Sequence, residues 1–172
     1  MRKLLCAFQI VFLFFFISST YASIDKILGW GKTIWGMTEE EVLKVEHRAF
    51  KFPNPEIYPE CTPSIGIKKI RIGTAEFDVK FLFWNNDKKL MKVIFSSFEK
   101  ENYLINEKTF ANIEKLLTEK YGVPTYKDPM KEISWNLSNT SIELHHFRLR
   151  SQSEINIYYK PIKSSLEESK DL

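Results

Sequence analysis

Phe77, Val79, Phe81 and Phe83 alternate with Asp78, Lys80, Leu82 and Trp84, and this period of two constrains the chain more than any other feature. Successive side chains on a strand point to opposite faces, so one face of this segment is almost wholly aromatic and must be covered. Asn85-Asn86-Asp87 forms a turn, and residues 90–98 return as the partner strand. An earlier stretch, residues 68–73, sets Ile70 and Ile72 on one side and adds a third strand. Later, Ile133, Trp135 and Leu137 alternate, Ser138-Asn139 turns, and residues 142–149 run back. Ser151-Gln152-Ser153 turns once more before Ile155, Ile157 and Tyr159, and Pro161 ends the ladder.

Two helices supply the cover. Thr38-Glu39-Glu40-Glu41 is a capping box, with Met37 and Val42 at the spacing of a hydrophobic staple. Three acids in the first turn suit the positive end of the helix dipole. Val42, Val45 and Ala49 continue the apolar stripe, and Pro53 and Pro55 stop it. The second helix is expected to open at Asn106 as its cap, with Ile105 and Phe110 as staple. Phe110, Ile113, Leu117 and Tyr121 line one face, and Gly122 and Pro124 close it.

The expected fold is therefore α+β. Two helices pack on one face of a mostly antiparallel sheet of about five or six strands. It is built as two pseudo-repeated helix-plus-meander halves, roughly 34–98 and 105–160. Neither meander buries its apolar face alone, so the two share one layer.

The first 22 residues read as a secretory signal. Arg2 and Lys3 precede an uncharged run from Leu4 to Ile17, and Thr20 and Ala22 occupy the small-residue positions that place a cut after Ala22. The run falls short of the roughly 18 apolar residues of a spanning helix. Residues 23–163 then form one domain, and the charged stretch 164–172 is expected to be a disordered tail. Of 25 Lys+Arg and 22 Asp+Glu, losing Arg2 and Lys3 leaves 23 against 22, a net charge of +1. The lysines are interleaved with acids, as in Glu114, Lys115, Glu119 and Lys120, which argues against nucleic acid as a partner. Cys6 leaves with the signal and Cys61 stays alone, so no internal disulfide forms and the domain relies on its core. Fourteen Phe, seven Tyr and four Trp, a few of them in the signal, supply the large apolar areas for that core.

Ile34-Trp35-Gly36-Met37-Thr38-Glu39-Glu40-Glu41-Val42 resembles the W-G-M-[ST]-x-x-E-V segment of small exported bacterial proteins of unknown function. Leu117-x-x-x-Tyr121-Gly122-x-Pro124, followed by Trp135, Ile142 and Leu144, is similar to their second half. In order of elements alone, the chain also resembles BamE-like two-layer envelope proteins, although no lipid-accepting cysteine follows the apolar run. The resemblance implies an envelope, periplasmic or secreted setting and carries over no catalytic residue.

Candidate chemistry is sparse. His145 and His146 are adjacent on a strand and point to opposite faces, so they cannot share an ion; Glu143 and His145 can share a face. Two ligands fall short of the three or four that zinc takes, and His47 has no companion one helical turn on. Cys61 lies among Pro53, Pro55, Pro59 and Pro63 with Glu60 opposing a thiolate. An exposed Cys61 would link two molecules into a dimer in an oxidising compartment. No G-x-S-x-G, H-E-x-x-H or glycine-rich phosphate loop is present, and no cofactor is implied. Asn136-Leu137-Ser138 and Asn139-Thr140-Ser141 match the glycosylation sequon, relevant only in a eukaryotic secretory route. Leu82 and Trp84 form an apolar strip on the sheet's second face, unless Phe52, Ile57 and Tyr58 fold over it. Trp30, Trp35 and Trp84 lie near element ends. The interaction candidates are thus Trp84, Leu82, Tyr58, Cys61 and Trp30. The sequence favours a non-enzymatic binding module of the envelope. A carrier of a small apolar ligand between sheet and helices, or a hydrolase using Glu143 and His145, are the alternatives.

Overall fold

The chain builds a single antiparallel sheet of eight strands, seen in a computed structural model that describes residues 28–97, 103–128, 132–149 and 152–162. The expected signal (1–22) and tail (164–172) lie outside the described residues. Elements follow in the order α1 (Glu39–Val45), β1 (Phe50–Lys51), β2 (Cys61–Ile72), β3 (Ala75–Trp84), β4 (Leu90–Ser97), α2 (Tyr103–Tyr121), β5 (Tyr126–Asp128), β6 (Glu132–Asn136), β7 (Thr140–Leu149) and β8 (Gln152–Pro161). Across the sheet the order is β1-β2-β3-β4-β8-β7-β6-β5, so β4 and β8 join the first four strands to the last four.

This corrects the expected five or six strands. The two additions, β1 and β5, are outer strands of two and three residues, too short to show a period. The expected pseudo-repeat of equal halves also fails. One helix has 7 residues and the other 19, and α2 alone lies broadly against strands, across β7 and β8.

The capping box of α1 forms as read. The Thr38 amide donates to Glu41 Oε2 at 2.8 Å, and the Glu41 amide donates to Thr38 Oγ1 at 3.3 Å. The helix stops at Val45, well before Pro53. Glu46 leaves helical geometry and clamps Arg48 through Oε1 and Oε2, each at 2.8 Å. Phe50 and Lys51 are then free to pair opposite Gly66 and Ile65. A sheet edge claims residues that helical spacing would have extended.

Helix α2 begins at Tyr103, three residues before the expected cap. Asn106 is fully buried instead, and its Nδ2 donates to Ser153 O at 2.7 Å and Ser153 Oγ at 3.1 Å. A buried amide that satisfies a strand carbonyl serves tertiary anchoring rather than capping. The other end behaves as read: Gly122 takes φ +87°, and its amide donates to Thr118 O at 2.9 Å. Trp135 Nε1 donates to Gly122 O at 3.0 Å and fastens this end to β6.

One core cluster runs beneath both meanders, from Ile65 and Phe81 through Phe95 and Ile157 to Leu144 and Ile133. The register aligns them, with Ile65 opposite Phe81, Phe95 opposite Ile157 and Leu144 opposite Ile133. Val42 of α1 and Phe110, Ile113 and Leu117 of α2 close this face. The Trp35-Gly36-Met37 segment is a strap along the sheet end. Met37 O accepts from the Leu90 amide at 2.8 Å, and Trp35 Nε1 donates to the buried Thr140 Oγ1 at 2.9 Å. No helix among the described residues is long and apolar enough to cross a membrane.

Candidate ligand-binding cleft

Strand β2 carries its apolar residues at Ile65 and Ile67, then at Ile70 and Ile72, so its alternation slips by one residue between the pairs. A slip of one would turn the second pair to the opposite face. The register against β3 shows how it is absorbed. Ile67 faces Val79 and Ile70 faces Phe77, so a β-bulge takes up the extra residue at Lys68–Lys69. Lys69 adopts φ +56°, left-handed geometry that an L residue enters at a cost. Its amide is secured by Asp78 Oδ1 at 3.1 Å. Bulges of this kind re-aim side chains and often border binding sites.

The bulge borders a cavity of about 630 Å³ between the sheet and α2. That volume falls in the range of sites that bury most of a small ligand. Ile67, Phe95, Ile157 and Tyr159 of the sheet face Ile113 and Leu117 of α2 across it. Trp30 closes one side, its ring 5.1 Å from Phe95 and edge-on. Burial pushes the Tyr159 phenol well above its ordinary value, aided by the Tyr121 hydroxyl at 3.3 Å, so this polar point stays uncharged.

Besides Ile70, Ile72 and Leu116, the remaining lining is basic: Arg48, Lys68, Lys69, Arg71 and Lys120. Among the described residues no acidic one lines the cavity. Arg48 is held by Glu46, and Arg71 stands 3.7 Å from Glu76. Lys68 and Lys120 make no ion pair among the described residues; Lys120 sits 4.9 Å above the Tyr121 ring.

The sequence candidates divide between two faces. Trp30 alone belongs to the cleft. On the opposite side, Tyr58, Cys61 and Trp84 gather around Asn85. Its Nδ2 donates to Tyr58 O and Pro59 O, its Oδ1 accepts from Thr62 Oγ1, and Cys61 pairs with Trp84. Of the strip Leu82 and Trp84, Leu82 is buried and Trp84 half-buried. Of the three residues expected to cover it, the Phe52 ring lies over Gly66 on this side and packs edge-on to Phe50, whereas Ile57 and Tyr58 are exposed. Cys61 is half-buried rather than exposed, and burial raises its thiol, with Lys92 pulling the other way.

Glu143 and His145 do share a face, with Glu132 and Lys160 brought in from β6 and β8. His145 Nε2 lies 3.5 Å from Glu143 and 3.9 Å from Glu132, while Lys160 Nζ is 2.5 Å from Glu143. His145 first and Lys160 second lower the Glu143 carboxyl to about 2. So strong an acid is a poor general base near neutral pH. The set is a polar ladder across three strands, with Lys160–Glu143 as its ion pair. Among the described residues no group of three or more His, Cys, Asp or Glu is placed to hold a metal ion. His146 points inward, where Nε2 meets Ser153 Oγ at 2.6 Å and the ring stacks on Phe110.

Reading the sequence for catalytic motifs missed the cleft. Its signal was present in the phase slip Ile65-Ile67-Ile70-Ile72 around Lys68-Lys69, since only an extra residue in the strand keeps both isoleucine pairs on one face. The chain matches no protein family, no curated protein and no solved structure.

Proposed function

We propose that this is an exported binding protein that carries a small, largely apolar ligand between its sheet and α2. The observation that carries the reading is the 630 Å³ cavity with an apolar floor beside a strained bulge. Export rests on the character of residues 1–22, and the likeness of the Trp35-Gly36-Met37 segment to small exported bacterial proteins of unknown function supports the same setting. The carrier role narrows the envelope binding module expected from sequence. A module that docks a protein through the second face would have to do so with Leu82 buried and Trp84 half-buried.

Nile red, a neutral apolar fluorophore, tests the reading. It should bind saturably, and Ile70→Trp, which places a large ring at the half-buried mouth, should weaken binding about tenfold or more while leaving the circular dichroism spectrum unchanged. Native mass spectrometry of protein from its own host should show an added mass. Absence of both saturable dye binding and a bound mass ends the proposal.

A further inference from the structure

Resting on that carrier reading, we infer that the ligand is an amphipathic anion: one acyl chain with a carboxylate or phosphate head. Five cations and no acid among the described residues line the cavity, although the chain as a whole is nearly balanced in charge. Such one-sidedness is a local field that favours an anion at the mouth. Two of the cations lack counterions among the described residues. Lys68 stands on the bulge of β2 and Lys120 on the last turn of α2, so the two come from the two walls of the cleft. A head group bridging these walls would leave its chain along Trp30, Ile70, Ile72 and Leu116, the apolar lining that keeps accessible surface.

The bulge adds an independent point. Without the extra residue at 68–69, Ile70 and Ile72 would turn away from the core and the alternation of β2 would leave one lysine at this spot. With it, Lys68 and Lys69 both line the mouth while Ile70 and Ile72 keep to the apolar side. The left-handed geometry of Lys69 is retained at a residue where glycine would relieve it, which is how strain is held at functional positions.

Displacement of Nile red from the full mature protein by dodecanoate, dodecyl phosphate and dodecanol tests the head group at constant chain length. At low salt the two anions should displace the dye at concentrations about tenfold lower than the alcohol, the factor of one charge-assisted hydrogen bond. Raising salt should shrink that ratio, because the rim is exposed. The pair Lys68→Gln and Lys120→Gln should bring the anions to parity with the alcohol and leave the alcohol unchanged. Whichever anion binds more tightly identifies the source as a free fatty acid or a phosphate-headed lipid, and both support the inference. Equal displacement by all three compounds from the unaltered protein overturns it while leaving the carrier reading intact. Failure of the dye itself to bind removes both.

Discussion

At the scale of single residues, the ladder Glu132–His145–Glu143–Lys160 has a measurable signature in acid. The Glu143 carboxyl falls from its ordinary 4.5 to about 2 in the folded chain. A depressed carboxyl stabilises the fold above its unfolded value and loses that contribution as pH drops through the folded one. The full shift corresponds to roughly 3 kcal/mol, and partial exposure to water screens it to about 1–2 kcal/mol. Glu143→Gln should therefore lower urea-unfolding stability by that amount at pH 7. The gap to the parent protein should close as pH falls from about 4.5 toward about 2. A gap that stays constant over this window would mean that the ladder contributes packing and no charge coupling. Period-two reading placed Glu143 and His145 together correctly. It could not supply Glu132 and Lys160, since partners on neighbouring strands depend on register and not on spacing within one segment.

At the scale of elements, the strand that borders the cleft also holds a tight backbone approach. A Cβ added at Gly66 would lie 2.3 Å from Phe52 Cζ and 2.8 Å from Val79 O. The phenyl ring could swing away, but the carbonyl belongs to the β2–β3 ladder and cannot. Gly66→Ala should thus destabilise by about 1–3 kcal/mol, the usual cost of overpacking. It should also release the β1 edge, seen as faster hydrogen exchange at residues 50–52 than in the parent. An unchanged exchange rate there would show that Phe52 does not hold that edge. The same comparison explains which elements the sequence disclosed. The helix faces and the long strands β3, β4, β7 and β8 carry enough turns of their period to be read. Strands β1 and β5 are too short for any period, and the start of α2 misled because a good capping residue, Asn106, is used as a buried anchor.

At the scale of the molecule, the cleft exists only because two meanders and a helix close over one interior. Strands β4 and β8 meet at the centre of the sheet, and α2, which follows β4 in the chain, crosses to pack on β7 and β8. The bond from Trp35 to Thr140 spans 105 residues and ties the strap to the later meander. Such an arrangement should unfold as one unit. Trp30, Trp35 and Trp84 belong to the first half and Trp135 to the second, so fluorescence of Trp135→Phe comes from the first half, with Trp35 also sensing its bond to Thr140, while far-ultraviolet circular dichroism follows the whole sheet. In urea the two signals should coincide. Adding Asn106→Ala, which removes the donors to Ser153, leaves a buried carbonyl wanting and should cost about 1–3 kcal/mol. Asn106 sits at the α2–β8 contact, in the second half, yet its loss should move the fluorescence midpoint of the first half equally, with the urea slope unchanged. Two separated transitions, or a first-half midpoint indifferent to Asn106, would mean two interiors, and a cleft walled by β2, β8 and α2 could not then be a stable feature of the native chain.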